Sequence, residues 1–211
     1  MKRVIVASNE DMYRRMDEKT LSKTITDSKL LQRLAENSSE YVRHCVAKNP
    51  NTPASALSKL AYDQDEFTRT YVARNPNTPK STLLMLSDDR ESWVLESVAY
   101  HPSTPANALE KLADYRFSHV RENVAQNLNT PTNVLEKLAD DNDAYVRMHV
   151  AQNPNTPAHV LEKLADDDAS MVRRCVAKNQ NTSTNVLEML ADDDNYFVRD
   201  SVAENPNASF Q

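Results

Sequence analysis

Apolar and polar positions follow one another along this chain in a pattern that returns every 26 residues. Its clearest mark is the dipeptide Val-Ala, which recurs at that interval without insertion or deletion, beginning at Val46, Val72, Val98, Val124, Val150, Val176 and Val202. A weaker copy of the pattern begins at Thr26. The spacing therefore predicts a tandem array over residues 26–211, with residues 1–25 outside it as an N-terminal arm or cap.

The pattern of residues in each repeat predicts two short helices joined by a turn. In one repeat, Val146 and Val150 stand four positions apart beside the small Ala151, which predicts a first helix over residues 145–152. An Asn-Pro dipeptide ends this helix, because the residue before a proline is pushed out of the α region. We expect the Asn-Pro-Asn-Thr segment that follows to form a turn or a short 3₁₀ segment.

The second helix of a repeat carries apolar residues at helical spacing, such as Val134, Leu135 and Leu138. Thr130 precedes Pro131 there, and we expect the threonine to cap the helix with the proline at its first position. We expect the first helix to be the shorter of the two. One such hairpin cannot bury its apolar face, whereas stacked copies can, so the pattern predicts an all-α solenoid of about seven two-helix repeats.

Composition removes several classes of function. The 211 residues include no glycine. This argues against a P-loop, a Rossmann fingerprint and a G-x-S-x-G elbow, since each needs glycine where the backbone approaches a ligand or takes a positive φ. The Asp clusters at 166–168 and 192–194 lack the alternating ligands of a calcium loop, and the histidines lack zinc spacing. We therefore expect no enzyme activity, no catalytic residues, no metal and no cofactor.

Charge and cysteine content restrict the kinds of partner and the cellular compartment that the sequence predicts. The net charge is -6, and residues 41–211 hold 17 Lys and Arg against 24 Asp and Glu, so nucleic acid is not the default partner. Cys45 and Cys175 occupy the same position in repeats five apart, too far for a disulfide. No apolar run reaches the length of a membrane span and no signal segment is visible, which predicts a cytoplasmic protein without membrane contact.

The repeated phrase resembles a known family. Residues 146–165 read V-R-x-x-V-A-x-N-P-N-T-P-x-x-V-L-x-x-L-A, which is similar to the leucine-rich repeat variant (LRV) family. The resemblance implies a right-handed superhelix that mixes α- and 3₁₀-helices and binds other macromolecules. One family member carries an N-terminal cysteine-ligated iron–sulfur cluster, but residues 1–44 of this chain contain no cysteine, so that cofactor is not carried over.

Most repeated positions are interpreted as structural. The Val, Leu and Ala positions are predicted to form the core. A large side chain recurs before the first valine, and we interpret it as core packing too; its members are Tyr41, Phe67, Trp93, His119, Tyr145, Met171 and Phe197. The two asparagines of the turn are predicted to satisfy backbone groups, a role for which asparagine is suited when glycine is absent.

An arginine follows the first valine in six repeats, at Arg43, Arg69, Arg121, Arg147, Arg173 and Arg199. The favoured interpretation pairs each arginine with an aspartate of an adjacent loop or with carbonyls at a helix end. The alternative is a ladder of cations that binds the phosphates of a nucleic acid, and this alternative requires the arginines to face solvent without partners.

The third repeat departs most from the pattern. In an array of similar repeats, such a departure indicates a local structural or functional requirement. Leucine replaces the arginine, a histidine replaces the first asparagine, and an aromatic and basic segment replaces an acidic loop. Tyr100 takes a position that is charged or polar in the other repeats, and we therefore expect it to face solvent. The candidate binding residues are Trp93, Leu95, Glu96, Tyr100, His101, Tyr115, Arg116 and Phe117.

These observations favour a non-catalytic scaffold that binds a macromolecule, with a protein as the first choice of partner. A protein of a phage or mobile element that captures a host protein is one version of this hypothesis. Nucleic-acid binding through the arginine ladder is the alternative, and an enzyme or metal protein using His101 or the Asp loops is the second alternative. The chain stops where a further second helix would begin, which suggests homodimer formation or end-to-end packing there.

Overall fold

The computed structural model describes Met16 and residues 20–208. The predicted arm at residues 1–25 lies largely outside these described residues and stays a prediction. Its last part, Thr20–Thr24, forms one turn of π-helix. Within it, Leu21 is fully buried, and the Leu21 carbonyl accepts a hydrogen bond from the Asn49 side chain at 3.0 Å.

The described residues form 14 α-helices and no strands. The second helices of the predicted repeats, with one earlier copy, are α1 (Ser28–Leu34), α3 (Ala54–Leu60), α5 (Lys80–Leu86), α7 (Ala106–Leu112), α9 (Thr132–Leu138), α11 (Ala158–Leu164) and α13 (Thr184–Ala191). The first helices are α2 (Glu40–Lys48), α4 (Glu66–Arg74), α6 (Ser92–Tyr100), α8 (Ser118–Gln126), α10 (Ala144–Gln152), α12 (Ser170–Lys178) and α14 (Tyr196–Ala203).

The chain divides into two compact units, one up to Pro105 and the other from Ala106 onward. In the first unit, α2, α4 and α6 pack side by side as one layer, with second helices against them. In the second unit, α8, α10, α12 and α14 form the corresponding layer. Each unit is therefore a stack of two-helix repeats, and the prediction of an all-α solenoid is confirmed.

The core is formed by the predicted Val, Leu and Ala positions. In the second unit Leu135, Val146, Val150 and Ala151 are fully buried, and the same positions are buried in the neighbouring repeats. Burial of a leucine or valine stabilises a fold by about 1.5–3 kcal/mol per side chain, so the repetition of this small set accounts for most of the packing. The apolar face of each hairpin is covered by its neighbours, as the sequence pattern requires.

Two local expectations are wrong. The first helix is the longer one: α10 has nine residues and α11 has seven. The threonine before the proline does not cap the second helix. Pro157 holds the cap position, while the Thr156 hydroxyl donates to the Val150 carbonyl at 2.6 Å and is itself buried. The threonine therefore satisfies a carbonyl near the end of the preceding helix rather than an N–H of the following one.

The Asn-Pro-Asn-Thr segment is a turn, not a helix. The Thr156 N–H donates to the Asn153 carbonyl at 3.1 Å, which closes the turn. No described residue has a positive φ. The turn is therefore built without the left-handed conformation that favours glycine, which explains how a repeat protein can dispense with glycine in every copy.

Candidate functional site

The repeated arginines lie at the junctions between repeats and are bound on both sides. Arg147 of α10 donates through Nε and Nη2 to the two carboxylate oxygens of Asp167 at 2.6 and 2.9 Å. Its Nη1 donates to the Asp141 carbonyl at 2.7 Å. The same two-point contact with an aspartate 20 residues later joins Arg43 to Asp63, Arg69 to Asp89, Arg121 to Asp141, and Arg173 to Asp193.

These contacts change the acidity of the paired groups. The hydrogen bond to Asp167 raises the pKa of Arg147 further above its already high value, although burial opposes this. Burial would raise the pKa of Asp167, but hydrogen bonds from Arg147 and the Ala169 N–H bring it below its usual value. Arg173 lowers the pKa of Asp193 to about 2. Both partners are therefore charged at neutral pH, as a charge-assisted, two-point pair requires.

The condition for an arginine ladder that binds phosphates is not met. Five arginines of the series point into junctions, whereas Arg199, which has no aspartate 20 residues later, is exposed and donates to the Asp193 and Asp194 carbonyls at 2.6 and 3.0 Å. The residues concerned are Arg43, Arg69, Arg121, Arg147, Arg173 and Arg199. The interpretation as structural pairing holds for all six.

The first asparagine of each turn forms a second ladder. The buried Asn153 donates through Nδ2 to the Ala125 and Asn127 carbonyls of the preceding repeat at 2.7 and 3.2 Å. Its Oδ1 accepts from the Asn155 N–H at 2.9 Å. Asn75, Asn179 and Asn205 make the same three contacts. One amide therefore binds two buried carbonyls and one N–H of the turn, as predicted for the turn asparagines.

His101 reproduces this asparagine rather than forming part of a binding patch. Only 3% of its surface is exposed. The Ser103 N–H donates to Nδ1 at 3.0 Å, so the hydrogen lies on Nε2, which donates to the Asn75 carbonyl at 3.0 Å. Burial lowers the pKa of His101, although the Asn75 contact opposes this. The neutral ring thus supplies one hydrogen-bond donor and one acceptor, as the side-chain amide of asparagine does in the other repeats.

The candidate binding residues of the first unit do not all face solvent. Trp93 and Tyr100 of α6 are exposed, and Glu96 is half-buried. Leu95 is buried, with 1% of its surface exposed. Leu95 and His101 are therefore corrections to the predicted site, because Leu95 takes the inward position of the arginine series and His101 takes that of the asparagine ladder.

The candidate residues Tyr115, Arg116 and Phe117 belong to the second unit. They form a local aromatic and cationic cluster: the Tyr115 and Phe117 rings meet edge to face at 5.8 Å, and the Arg116 guanidinium lies 4.5 Å from the centre of the Phe117 ring. Phe117 also stacks on His119 at 5.4 Å. Tyr115 is half-buried, whereas the other two residues are exposed. This cluster stays a candidate binding site.

The third repeat loses both members of the ion pair together. The arginine position holds Leu95, and the position 20 residues later, where other repeats have aspartate, holds Tyr115. A buried charge without its partner is strongly destabilising, whereas replacement of both members by apolar groups is often tolerated. The two substitutions therefore compensate each other in sequence, which explains Leu95 without a role in binding.

The large side chain before the first valine faces solvent, contrary to the interpretation as core. Phe67, Trp93, Tyr145 and Phe197 have more than half of their surface exposed, and Tyr41 has 38%. His119 and Met171 are half-buried. We call this series the aromatic column; within each unit it lies along the first helices, one residue per repeat. Exposed apolar groups in series are unusual on a soluble protein and indicate a surface for binding.

One signal in the sequence identifies this exposure. Trp93 precedes Tyr100 by seven residues, which is two helical turns, so both lie on one face of α6. Charged or polar residues occupy the position of Tyr100 in the other repeats, which predicts that it faces solvent. The neighbouring Val94 is buried, and a side chain one residue away points about 100° from it.

A shallow pocket adjoins the aromatic column in the first unit. It has a volume of about 290 Å³ and lies between α4 and α6, where it is lined by Glu66, Phe67, Thr70, Tyr71, Arg74 and Trp93. The Arg74 Nε donates to the Ser97 hydroxyl at 3.0 Å. Lys48 lies 4.2 Å from the centre of the Tyr71 ring. Acidic and basic side chains are therefore both present at this pocket.

A second pocket adjoins the column in the second unit. It has a volume of about 400 Å³ and lies against α10, α12 and α14, with the lining residues Met148, Gln152, Ser170, Met171, Arg174, Cys175, Lys178, Asn195 and Phe197. Arg174 and Lys178 are exposed, and the lining contains no acidic residue. Burial raises the pKa of Cys175, so its thiol is less acidic than an ordinary cysteine.

Neither a metal centre nor a membrane-spanning helix is found in the described part of the chain. Within residues 20–208 no group of three or more His, Cys, Asp or Glu side chains converges as metal ligands. Over the same part of the chain, no helix has the length and apolar character needed to cross a membrane. Cys45 and Cys175 are both free thiols, as predicted.

Comparisons with known proteins agree with this architecture. The family model "Leucine rich repeat variant" matches residues 145–169. A solved leucine-rich repeat variant "with a novel repetitive protein structural motif" is similar at 28% identity and a TM-score of 0.66, with 87% of this chain and 72% of that chain covered. No curated protein sequence matches the chain significantly.

Two more distant solved structures are also helical repeat proteins. The archaeal HEAT-like repeats protein from Thermococcus onnurineus NA1 has 11% identity and a TM-score of 0.44, with 84% of this chain and 95% of that chain covered. A designed armadillo repeat protein in complex with peptide (KR)4 has 16% identity and a TM-score of 0.32, with 83% and 79% covered.

Proposed function

Because the chain is built from leucine-rich repeat variant repeats, we propose that it is a non-catalytic scaffold that binds a protein partner through the aromatic column of its first helices. The observation that carries the proposal is the exposure of Phe67 and Trp93 on adjacent first helices of the first unit, and of Tyr145 and Phe197 on two first helices of the second. Aromatic side chains bury a large area at a low cost in conformational entropy, and they dominate the binding energy of protein interfaces.

The rigidity of the junctions supports this role. The arginine–aspartate pairs and the asparagine ladder fix each repeat of a unit against the next through backbone carbonyls. Anchor residues on fixed helices lose little freedom when a partner binds, so more of the contact energy appears as affinity. The function then depends on presentation of side chains and not on chemistry at any one of them.

The two alternatives have less support. Nucleic-acid binding through the arginine series requires free guanidinium groups, and each arginine of that series is bound to a carboxylate, to carbonyls or to both. The enzyme hypothesis relies on His101 or the Asp loops. His101 binds the Asn75 carbonyl, and Asp167 of one loop binds Arg147 at a junction. A cytoplasmic location, an origin in a phage or mobile element, and homodimer formation stay predictions.

Affinity capture tests the proposal. The tagged protein is incubated with a cell lysate with and without nuclease, and retained proteins are identified by mass spectrometry. The test variant is F67A/W93A. The control variant is Y62A/L128A, which removes two exposed apolar side chains outside the column. We expect nuclease-resistant partners that the control retains and the test variant loses.

Two results would contradict the proposal. Partners that are recovered equally with the unmodified protein, with F67A/W93A and with the matching second-unit variant Y145A/F197A would show that the column is not the binding surface. Recovery of nucleic acid, with every retained protein lost after nuclease treatment, would support the nucleic-acid alternative instead. Circular dichroism of every variant establishes that the helices are intact, which we expect because all the substituted residues are exposed.

A further inference from the structure

We propose that the pocket of the second unit binds an acidic peptide segment, in which a carboxylate side chain lies next to a large apolar one. The inference rests on the proposed function and specifies the partner at one place on the aromatic column. It is carried by the arrangement of Met148, Met171 and Phe197 around Arg174 and Lys178.

The walls of the pocket suit an apolar side chain. Met148, Met171 and Phe197 come from three successive first helices, α10, α12 and α14. Methionine is unbranched and polarizable, so it adapts to ligands of different shape, and the phenylalanine ring supplies a flat face. A volume of about 400 Å³ is sufficient for one large side chain with part of the backbone on either side.

The orientation of Arg174 suits a carboxylate. Its guanidinium lies over the Phe197 ring, with its carbon 5.6 Å from the ring centre. A guanidinium that stacks on a ring keeps the N–H donors at its edge available, and their fork matches the two oxygens of a carboxylate. In the described part of the chain, no carboxylate lies within ion-pair distance of Arg174.

The second cation strengthens the local positive charge. Lys178 lies four residues after Arg174 on α12, so both face the same side. Its ammonium is 3.7 Å from a Glu204 carboxylate oxygen, with about half or more of each side chain exposed. An ion pair of this kind contributes little and exchanges readily with a partner's carboxylate.

Charge favours a peptide over a nucleic acid at this pocket. The protein carries a net charge of -6, and the exposed Asp166 and Asp168 follow α11 in the same unit. A long polyanion would be repelled by this field over its whole length, whereas a short acidic segment places its charge only at the pocket. The lining of the first unit's pocket includes both Glu66 and Arg74, so its charge is balanced and it does not select an acidic ligand.

Peptide selection tests this assignment on the full-length protein. A yeast-displayed library of random dodecapeptides is selected for binding, and enriched peptides are synthesised with their Asp and Glu residues and with Asn and Gln in their place. Fluorescence anisotropy measures affinity for the unmodified protein, R174Q/K178Q and K137Q/K163Q. The last variant removes the same charge from second helices, where the two lysines pair with Asp114 and Asp140.

We expect enrichment of Asp or Glu next to Leu, Met, Phe or Trp. R174Q/K178Q should weaken binding by at least about tenfold, as loss of a two-point charged contact does. K137Q/K163Q should leave the affinity within about twofold, since exposed pairs contribute little. The amide version of a peptide should bind the unmodified protein about as weakly as the acidic version binds R174Q/K178Q, because each change removes the same contact.

The outcomes separate the inference from the proposed function. Enriched peptides that lack acidic residues, or that bind R174Q/K178Q normally but not F67A/W93A, overturn the acidic pocket and leave the scaffold function standing. A library that yields no peptide overturns both. A single-stranded RNA dodecamer that binds more tightly than the peptides, and is lost with R174Q/K178Q, reassigns the pocket to nucleic acid.

Discussion

The junctions between repeats and the exposed face of the first helices differ in how strictly they keep residue identity. Arg173 and Arg174 are adjacent in sequence, yet Arg173 is fixed by Asp193 at a junction whereas Arg174 lies at a pocket on the exposed face. The position of Arg173 is arginine in six repeats, while that of Arg174 holds residues as different as Thr70, Glu96 and Met148.

The difference follows from what each region must satisfy. A junction presents the same buried carbonyls and the same spacing in every repeat, so one side chain of fixed geometry solves the problem each time. The position of Arg174 has no such shared contact to make: Thr70 is buried there, Glu96 and Met148 are half-buried and Arg174 is exposed, so its residues are free to differ and to meet a partner. Uniform identity within a repeat array therefore indicates a structural role, and variation of identity at an exposed position indicates a surface for recognition.

The largest expected effect concerns the asparagine ladder. Asn153→Ala removes three hydrogen bonds: the buried Ala125 carbonyl loses the Asn153 donor, the Asn127 carbonyl keeps only its bond from the Thr130 N–H, and the Asn155 N–H loses its acceptor. A lost hydrogen bond costs about 0.5–1.5 kcal/mol and an unsatisfied buried group about 1–3 kcal/mol, so we expect the free energy of unfolding in urea to fall by about 3–5 kcal/mol. Asn155→Ala removes only an exposed contact with the Leu128 carbonyl, and we expect it to cost about 1 kcal/mol. Equal costs for the two would contradict the assignment.

The next effect concerns the ion pair of the junction. Arg147→Leu leaves Asp167 with 6% of its side chain exposed and no cation in two-point contact. Removal of one partner of a buried pair costs about 3–5 kcal/mol. Because Asp167 also remains accessible to water at its edge, we place the loss at about 3 kcal/mol, measured by urea unfolding.

The double variant R147L/D167Y sharpens this prediction, since it copies the residues that the third repeat already has at Leu95 and Tyr115. Replacement of both charges removes the penalty of a lone buried carboxylate, so we expect the double variant to recover about half of the loss. A double variant that is less stable than Arg147→Leu alone would show that the two positions are not coupled.

Sequence alone predicted the junctions well because their demands are periodic. The arginine–aspartate pairing and the role of the turn asparagines followed from repetition and charge, and the spacing of Val146 and Val150 identified the core. The aromatic column was misassigned because a large apolar residue at a fixed position has the same composition whether it is buried or exposed. Only the seven-residue spacing from Trp93 to Tyr100 separates the two cases.

Other features could not be predicted from the sequence, because they depend on contacts between residues that are distant along the chain. The pocket near Arg174 is formed by three helices that are far apart in sequence, and its volume depends on their packing. The inward direction of Thr156 depends on a carbonyl six residues earlier, which no local capping rule includes. The resemblance of His101 to asparagine became visible only with the positions of Nδ1 and Nε2.

A smaller effect concerns the pH dependence of His101. Burial lowers its pKa in the folded state, so the unfolded chain binds a proton at a higher pH than the folded protein does. The stability contributed by neutral His101 is therefore present above the unfolded pKa of about 6.5 and declines as the pH falls below it. Protonation also places an N–H at Nδ1 against the Ser103 N–H.

His101→Asn should remove this dependence, since asparagine does not titrate and occupies the same position in the other repeats. We expect the unfolding free energy of the unmodified protein to fall more steeply between pH 7 and pH 5 than that of the variant. The two slopes should differ by at most about 1.4 kcal/mol per pH unit, because one proton is involved. Parallel curves in urea titrations at several pH values would rule out a contribution from His101.

The smallest expected change in stability belongs to the exposed face, and it separates the two regions most directly. Trp93 has 61% of its surface exposed, so Trp93→Ala should change the free energy of unfolding by no more than about 0.5 kcal/mol, measured in urea. The neighbouring Val94 is fully buried, and Val94→Ala should cost about 2 kcal/mol in the same assay. If Trp93→Ala were as costly as Val94→Ala, the aromatic column would be part of the core and its role in binding would have no basis. A small cost would show that the fold does not need a tryptophan at this exposed position. Binding of a partner would then explain why Trp93 is there.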